Sequence, residues 1–400
     1  MRDETRCLTT RPLDVDGFRA LQPPVTRAAT VVFSDSASFE KRYDRFYDGY
    51  TYGLYGTPTT HVLEEQIAAL NHGARSVLTP SGQSAMVLAL LTCLEPGDHL
   101  LIPHAVYGST RAFCTGRLAS LGITVEFYEP MIGVGIAALL RPSTRAVIVE
   151  SPGSNTMAVQ DLPAIATAAH AGGALVIADN TWAGPLVCKA LDRGADIVME
   201  ALSKHAGGHG DVLMGALTVR DEGLHRRLKD MTRLLGLGVS ADDAALVLRG
   251  LQTMAVRLDR AAASGLALAH WLVEREEVSR VLHPALPDAD GHEIWKRDFT
   301  GCNGVFSFLL AAPFSGQEHR FIDALRLFSI GASWGGTQSL VSPQALGRDD
   351  VRLGQRDTRL VRLSVGLEAL SDLQDDLEDG FAALTAVPAT ASHQRRPAAE

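Results

Sequence analysis

Short apolar segments alternate with helical stretches through residues 61–220 of the chain. Seven of these segments are rich in Val, Ile and Leu and lack the polar alternation of a half-exposed strand, which predicts strands covered on both faces. They are RSVLTP, DHLLIPH, TVEFYE, AVIVES, ALVIADN, DIVMEAL and GALTVR. Apolar residues at helical spacing, as in THVLEEQIAALN, lie next to them. The alternation predicts an α/β fold with a mostly parallel seven-stranded sheet.

Other parts of the chain flank this region. In residues 1–60, RYDRFYDGYTYGLYG carries six Tyr or Phe residues without periodicity, which predicts an N-terminal arm that covers its aromatic residues on a neighbouring subunit. The large domain is taken as residues 61–255. A long helical region then leads to the strand-like GVFSFLL and VRLSVG and the helical SDLQDDLEDGFAALTAV, which predict a smaller C-terminal α+β domain over residues 256–385. Residues 386–400 are small and polar and predict a disordered tail.

Composition and charge remove several classes of protein. With 46% hydrophobic and 21% charged residues over 400 positions, the chain is neither disordered nor fibrous. A formal net charge of −9 without a Lys/Arg cluster argues against nucleic acid as a partner. Five scattered cysteines without CxxC spacing argue against a disulfide scaffold or a structural zinc site. The start lacks the apolar stretch of a signal peptide and no apolar run approaches about 18 residues, so we expect a cytoplasmic protein without a membrane partner.

Two strand ends carry residues suited to a ligand. In TPSGQSAMVLALL a strand runs through Gly82 into a helix, and the free N–H groups at a helix start favour a phosphate. An ordinary strand-to-helix turn would give the same pattern. Asp179 ends the buried strand ALVIADN, at the carboxyl edge where open α/β sheets bind ligands. A helix cap is the equal alternative for this Asp.

Lys204 stands out because the chain has only five lysines. It follows a buried strand in EALSKHAGGHGDVLMG and is surrounded by glycines. Burial disfavours the ammonium form, so a lysine in such a pocket is suited to forming a Schiff base. His205 and His209 have the i, i+4 spacing of metal ligands, but the glycines disfavour a regular helix and the sequence offers no third ligand. No metal site is therefore predicted.

Five features along the chain together match the needs of one cofactor. In chain order they are a phosphate-type turn, Tyr107, Asp179, Lys204 and a C-terminal Arg. Lys204 lies 25 positions after Asp179. Pyridoxal 5′-phosphate (PLP) requires a phosphate cradle, an aromatic plane on its ring, a carboxylate for its pyridinium nitrogen and a lysine for its aldehyde. An amino-acid substrate adds a carboxylate, which the planar fork of an arginine grips best. The set predicts PLP as the cofactor.

These residues resemble the Cys/Met-metabolism family of PLP-dependent enzymes, over roughly residues 20–385. The matching segments are YGLYGTPTTHVLEE, SGQSA, PHAVYGST, VESPGSNTMAVQDL, IADNTWAGP, SKHAGGHGDVLMG, RGLQTMAVRLDR, HPALP, GHEIWKRDFTG, FSIGASWGGTQSL and RLSVGLE. The resemblance implies a PLP-dependent transferase-like fold of the aspartate aminotransferase type. It also implies an active site built across a homodimer, within a homotetramer.

The resemblance assigns cofactor roles by position. Lys204 would bind the cofactor aldehyde and later move the α-proton of the substrate. Asp179 would pair with the pyridine nitrogen, and Tyr107 would stack on the ring and assist proton transfer. The phosphate would be held by Gly82, Gln83, Ser203 and, from the neighbouring subunit, Tyr52.

The resemblance also assigns substrate contacts. Arg362 in VRLSVGLE would clamp the α-carboxylate, with help from Ser333 and Asn155. The two helpers have a simpler alternative, which is to satisfy local backbone groups. Trp334 in SWGG is typical of relatives that work at the β-carbon, whereas a buried core aromatic is the alternative explanation.

Four positions depart from the pattern of the family. Leu54 stands where an arginine usually grips the phosphate, which removes a charge-assisted contact of about 1.5–3 kcal/mol. His205 replaces a usual Tyr, Gly210 a usual Ser and Ser364 a usual His. These departures suggest a non-standard substrate or weakened cofactor retention.

The resemblance implies a carbon–sulfur β-lyase acting by α,β-elimination on cystathionine, or a related cysteine S-conjugate. The products would be a thiol (homocysteine from cystathionine), pyruvate and ammonia. A specialised lyase for another cysteine conjugate, or an enzyme of the cystathionine γ-synthase or γ-lyase type, stays open. Lys204 and Asp179 argue against a non-catalytic scaffold. A dinucleotide-binding dehydrogenase is disfavoured because Gly133-Val134-Gly135 lacks a preceding strand and a third glycine.

Overall fold

The structure is a computed structural model that describes residues 1–9, 14, 15, 17–345 and 359–386. Within these residues, no helix is long and apolar enough to cross a membrane. The tail predicted for residues 386–400 lies, beyond Ala386, outside the described residues.

Strands and helices alternate along most of the described chain. The strands are β1 (Asp14–Val15), β2 (Phe18–Arg19), β3 (Arg75–Thr79), β4 (His99–Pro103), β5 (Thr124–Tyr128), β6 (Thr144–Glu150), β7 (Leu175–Asp179), β8 (Ile197–Glu200), β9 (Gly215–Val219), β10 (Val278–Leu282), β11 (Val305–Leu310), β12 (Ser329–Ile330), β13 (Leu340–Ala345) and β14 (Arg359–Ser364). The α-helices are α1 (Asp3–Leu8), α2 (Ser36–Glu40), α3 (Pro58–Leu70), α4 (Gly82–Cys93), α5 (Gly108–Phe113), α6 (Leu162–Ala171), α7 (Gly184–Val187), α8 (Glu222–Leu235), α9 (Ala241–Val273), α10 (His292–Asp298), α11 (Glu318–Ile322) and α12 (Leu370–Thr385). Short 3₁₀ segments and one π-helical turn complete the connections.

The larger sheet contains seven strands in the order β3-β9-β8-β7-β6-β4-β5. Neighbouring strands from β8 to β5 run parallel, and β9 runs antiparallel to both β3 and β8. All strands of this sheet except β9 therefore point the same way. Each of the seven apolar segments forms one of these strands, so the predicted mostly parallel sheet is confirmed.

Strand β6 shows why these strands lack polar alternation. Its residue Ile148 packs in a cluster with Leu88 of helix α4, whereas the next residue, Val149, packs in a second cluster with Ile165 of helix α6. Successive side chains of a strand point to opposite faces. Because helices cover both faces here, both sets of side chains are apolar.

The smaller sheet has five strands in the order β10-β11-β14-β13-β12. Pairing is antiparallel except between β12 and β13, which are parallel. Helix α12 packs against this sheet through Phe381, whose ring centre lies 4.8 Å from that of Phe321 in α11 and 6.4 Å from that of Phe308 in β11. The predicted smaller C-terminal α+β architecture is confirmed.

Helix α9 connects the two sheets. Leu251 in its first half packs in a cluster with helix α3, whereas Leu268 in its second half packs in the core of the smaller sheet. Ser240 caps the start of the helix, where its hydroxyl accepts the N–H of Asp242 at 3.1 Å. The predicted domain boundary between residues 255 and 256 falls inside this helix and stays a prediction.

The N-terminal residues lie outside the larger and smaller sheets and include two short helices, α1 and α2, and the two-stranded antiparallel sheet of β1 and β2. Helix α1 packs on α3 and α9, and Arg6 donates to the carbonyl of Ala69 at 3.0 Å. Farther along, the N–H of Gly53 donates to the carbonyl of Ala29 at 2.8 Å. The side chain of Tyr52 beside it is 46% exposed. A role for this segment as an arm on a neighbouring subunit stays a prediction.

Candidate functional site

Because the strands of the larger sheet other than β9 share a direction, their carboxyl ends meet at one edge. Gly82, Tyr107 and Lys204 follow strands β3, β4 and β8 at this edge, and Asp179 is the last residue of β7. These residues are far apart in the sequence, and the common strand direction brings them together. The edge of the sheet is therefore the candidate site.

Lys204 is the central group of the candidate site. Its Nζ donates to the Ser333 hydroxyl at 2.7 Å and lies 5.2 Å from the centre of the Trp334 ring. Burial, followed by the nearby charge of Arg362, lowers the pKa of Lys204 from 10.5 to about 8, while the Asp179 carboxylate acts in the opposite direction. With this pKa, Lys204 is neutral in about a tenth of the molecules at pH 7. Lys204 is thus suited to act as a nucleophile and as a base.

Two carboxylates lie side by side at the ends of β6 and β7, where Glu150 and Asp179 are register partners. Burial raises the pKa of Asp179, although its Oδ1 accepts the N–H of Thr181 at 3.0 Å. Burial and then the charge of Asp179 raise the pKa of Glu150 to about 8. A cation bound against Asp179 would favour its ionised form.

The start of helix α4 forms a cradle for an anion. Ser81 and Ser84 cap each other reciprocally, which fixes the first turn. A Cβ on Gly82 would lie 2.5 Å from the Cβ of Ala201, so glycine is required at this close approach. The first N–H groups of a helix have no carbonyl one turn earlier, which leaves those of Gly82 and Gln83 available to a phosphate.

The Ser203 hydroxyl is engaged with the backbone of Met214. It donates to the Met214 carbonyl at 3.2 Å and accepts the Met214 N–H at 2.9 Å. A hydroxyl has one proton to donate. Ser203 would have to release the carbonyl to donate to a phosphate, so its predicted role stays a prediction.

Tyr107 precedes helix α5 and has a 49% exposed side chain. Its backbone N–H donates to Glu150 Oε2 at 2.7 Å. The phenol also acts on the charge of Arg362, whose pKa it raises against the larger effect of burial. Tyr107 therefore stands near the positive groups of the site with its ring open to a ligand.

Arg362 lies in strand β14, between its register partners Ser307 of β11 and Ser342 of β13. Its guanidinium donates to Asn155 Oδ1 and to the carbonyl of Ala332, both at 3.4 Å. Burial lowers its pKa from the ordinary value, and the group stays a cation. Neutral oxygens hold this cation, which leaves its charge available to a substrate carboxylate.

Trp334 is partly buried and packs against a cluster that includes Trp182. The His205 ring lies 5.3 Å from the Trp334 ring, and the His205 Nε2 is 3.0 Å from the carbonyl of Trp182. Burial lowers the pKa of His205 to about 4, so this ring is neutral at pH 7. The indole is thus both a packed core aromatic and a neighbour of Lys204.

Tyr52 and Leu54 belong to a separate segment of the chain. The Tyr52 ring centre lies 6.0 Å from that of Tyr55. Leu54 faces Gly238, where an added Cβ would meet its Cδ1 at 2.7 Å. Neither contact links these residues to Lys204 within one chain.

Glu150 is a site residue that the sequence reasoning missed. Glu150 is the second-to-last residue of the apolar segment AVIVES, as Asp179 is of ALVIADN. This shared position at a strand end could have identified Glu150 as a site residue. Of the two histidines with the spacing of metal ligands, His209 has its Nδ1 2.8 Å from the carbonyl of Gly207. Among the described residues, no group of three or more His, Cys, Asp and Glu side chains is arranged to hold a metal ion.

The residues present fit PLP. The glycine-restricted cradle at Gly82 suits its phosphate, the buried Asp179 its pyridinium nitrogen and the Lys204 amine its aldehyde. The open ring of Tyr107 offers an aromatic surface at the same sheet edge. No metal or second organic group is needed to account for this donor set.

Comparison with known proteins agrees with this chemistry. Residues 4–382 match the family model described as Cys/Met metabolism PLP-dependent enzyme. A putative cystathionine beta-lyase of Rhizobium johnstonii is 45% identical over 94% of this chain and 94% of its own length. The cystathionine beta-lyase MetC of Escherichia coli is 39% identical over 91% of this chain and 94% of its own length. The crystal structure of cystathionine gamma-lyase from Lactobacillus plantarum, complexed with L-serine, has a TM-score of 0.88 at 29% identity and covers 97% of this chain and 100% of its own. With a family match over almost its whole length, the chain belongs to the Cys/Met metabolism family of PLP-dependent enzymes.

Proposed function

We propose that the chain is a PLP-dependent carbon–sulfur β-lyase that cleaves L-cystathionine, or a related cysteine S-conjugate, by α,β-elimination. One water is consumed, and the products are a thiol, which is homocysteine from cystathionine, together with pyruvate and ammonia. The observation that carries the proposal is Lys204, a lysine with a pKa of about 8, placed between Ser333 and Trp334. Relatives called cystathionine beta-lyase at 39–45% identity support the substrate.

Residues at the carboxyl edge of the larger sheet would bind the cofactor. The N–H groups of Gly82 and Gln83 bind the phosphate, Asp179 binds the ring nitrogen and Tyr107 covers the ring. When bound, PLP supplies an electron sink for the negative charge that develops at the substrate α-carbon. Buried Asp179 keeps the ring nitrogen protonated, because an ion pair out of water favours the charged form of both partners.

Lys204 moves the protons of the reaction. In its neutral form it removes the α-proton of the substrate, and as an ammonium it delivers a proton to the departing sulfur. A pKa of about 8 lies close to the working pH, where both forms are populated. Ser333 holds the amine through the 2.7 Å hydrogen bond and fixes its direction.

Arg362 binds the α-carboxylate of the substrate. Its two hydrogen bonds at 3.4 Å to Asn155 and to the Ala332 carbonyl are long, so a carboxylate competes well for the same N–H groups. Trp334 closes the side of the site beside Lys204 and excludes water from the leaving sulfur.

A second candidate is a lyase for another cysteine conjugate, or an enzyme of the cystathionine γ-synthase or γ-lyase type. His205 and Ser364 favour it, because both lie against the loop of Trp334 and Gly335 that borders the substrate. The Lactobacillus plantarum enzyme, which has a γ-lyase name, shares the fold.

The assembly is proposed to be a homodimer within a homotetramer. Exposed aromatic side chains in residues 17–57 support it, since Tyr43 is 56% and Tyr52 46% exposed and such rings are costly in water. Tyr52 would then reach the phosphate of the neighbouring subunit. A cytoplasmic location is proposed from the cysteines, all five of which are free thiols.

The test combines a spectrum with two product assays. We expect the purified protein to show a visible absorbance band with PLP that Lys204→Ala removes and that Lys296→Ala, on the exposed face of helix α10, retains. L-cystathionine should then give pyruvate. Predominant 2-oxobutyrate would overturn β-elimination in favour of the γ-type candidate, and binding without turnover would point to another cysteine conjugate.

A further inference from the structure

Glu150 is a buried carboxylate that the proposed reaction does not use. It ends strand β6 and is 6% exposed. Both of its oxygens accept hydrogen bonds from loops that border the site. We infer that Glu150 is a positioning residue that holds the loop of Tyr107 and the loop of Asn155 in their working places, an inference that rests on the proposed function of this site.

The two oxygens of Glu150 serve different loops. Oε2 accepts the backbone N–H of Tyr107 at 2.7 Å. Oε1 accepts the backbone N–H of Ser154 at 2.8 Å and also the Ser154 hydroxyl. These hydrogen bonds favour the ionised form of Glu150, against the burial that raises its pKa. One buried side chain therefore joins the segment after β4 to the segment after β6.

The two loops are also packed directly on each other. A Cβ on Gly153 would lie 2.5 Å from the Cβ of Ala105, so the backbones approach as closely as glycine allows. Two positions later, Asn155 has a φ of +65°, which costs a non-glycine residue energy unless its surroundings hold it. The bonds from Ser154 to Glu150 hold the residue just before this strained position.

Each loop delivers one group to the reaction. The first carries Tyr107, which covers the cofactor ring. The second carries Asn155, whose Oδ1 accepts from the carboxylate-binding Arg362 at 3.4 Å. Displacing the first loop disturbs the cofactor, and displacing the second disturbs substrate binding.

Only a carboxyl group, whose two oxygens can both accept, makes all of these contacts at once. The amide of glutamine has one accepting oxygen, and its nitrogen donates. In Glu150→Gln one of the two loops must therefore meet an N–H donor with its own N–H group. The geometry of the side chain is kept while one anchor is lost.

Glu200 provides the matched control. It ends the next strand but one, β8, is 5% exposed, and accepts from Asn71 Nδ2 at 2.6 Å. Burial is the largest cause of the raised pKa of both Glu150 and Glu200, and the charge of Asp179 adds to it in both, so both substitutions remove a buried acid near Asp179. Glu200→Gln does so without releasing either loop.

The experiment compares the holoenzymes of Glu150→Gln, Glu200→Gln and Ser154→Ala. We expect Glu150→Gln to lower kcat/KM for L-cystathionine by about 10- to 100-fold and to change the visible circular dichroism of bound PLP. Glu200→Gln should stay within about threefold of the wild type with an unchanged dichroism spectrum. Ser154→Ala removes the hydroxyl contact of the second loop and keeps its backbone N–H contact, so it should raise KM about fivefold with kcat and the spectrum retained.

Equal effects of Glu150→Gln and Glu200→Gln would overturn the inference, because the loss of a buried acid near Asp179 would then explain both. If Glu150→Gln fails to fold, Ser154→Ala decides, and an unchanged KM counts against the anchor. A wild type that leaves cystathionine intact sinks the proposed function instead. In that case the dichroism of bound PLP still tests Glu150, since an unchanged spectrum in Glu150→Gln contradicts its hold on Tyr107.

Discussion

Replacing Arg362 by Met and Asp179 by Asn should move the pKa of Lys204 in opposite directions. The positive charge of Arg362 lowers this pKa, and the negative charge of Asp179 raises it. Arg362→Met therefore moves the pKa up, and Asp179→Asn moves it down. Burial, the largest cause of the lowered pKa, remains in both variants.

The magnitude follows from the two pKa values of the lysine. With a pKa of about 8, half of Lys204 is neutral at pH 8, whereas an ordinary lysine at 10.5 would be about 0.3% neutral. The folded protein thus increases the reactive amine about 150-fold at that pH. Because burial is unchanged, Arg362→Met should recover part of this difference and keep a pKa below 10.5.

The assay is the rate at which cofactor-free protein captures PLP, followed by visible absorbance from pH 6 to 10. Capture requires a neutral amine, so the rate should rise with pH and level off above the pKa of Lys204. Lys204→Ala gives the background. Arg226→Met removes the same charge from an exposed side chain of helix α8 and should leave the midpoint of the rate–pH curve unchanged.

Two results would refute this reasoning. A wild-type midpoint near that of an ordinary lysine would mean that burial does not act on Lys204 as the structure indicates. Midpoints that move in the same direction in Arg362→Met and Asp179→Asn would mean that disruption of the site, rather than charge, controls the amine.

Three further predictions concern the indole, the missing arginine and the core of the smaller sheet. Trp334→Leu removes the ring 5.2 Å from Lys204 and should lower kcat/KM for cystathionine about tenfold in steady-state kinetics. An unchanged kcat/KM would contradict this role of the indole. Leu54→Arg restores a charge-assisted phosphate contact and should tighten PLP about tenfold in equilibrium dialysis, whereas an unchanged affinity would show that another group already fills that role. Phe308→Ala should cost about 3–5 kcal/mol of stability, because this fully buried ring packs 5.7 Å from Phe321, and an unaltered melting temperature would count against that packing.

The strands that the sequence predicts are those whose surroundings are uniform. Six of the seven strands of the larger sheet are buried along most of their length, so their apolar runs are long, whereas the edge strand β5 is partly exposed. In the smaller sheet the pattern predicts β11 and β14 and misses the rest. Strand β13 contains Ser342, Pro343 and Gln344, and β12 has two exposed residues, so neither leaves an apolar signal. Their pairing depends on neighbours that only the fold supplies.

The sequence predicts those site residues that lie at or just after the end of a buried strand. Asp179 ends a buried strand and Lys204 follows another, and the shared strand direction brings them to one edge. Glu150 has the same sequence context, yet its importance lies in contacts with two other loops, which no local pattern records. The sequence position of Ser203 suggests a phosphate contact, whereas in the structure its hydroxyl donates to the carbonyl of Met214.

The departures at positions 205 and 364, which the sequence presents as separate changes, act on one loop in the structure. The ring of His205 packs 5.3 Å from that of Trp334, and the Ser364 hydroxyl accepts the N–H of Gly335 at 3.1 Å. Gly335 has a φ of +82°, and an added Cβ would lie 3.1 Å from His205 Nδ1, so the loop fits closely against the imidazole. Because burial lowers the pKa of His205 to about 4, the ring adds no charge beside Lys204. These two residues therefore hold the loop of Trp334 and Gly335 beside Lys204. Under the proposed function this loop borders the substrate, so a change of substrate is a more direct consequence of the two departures than a loss of cofactor.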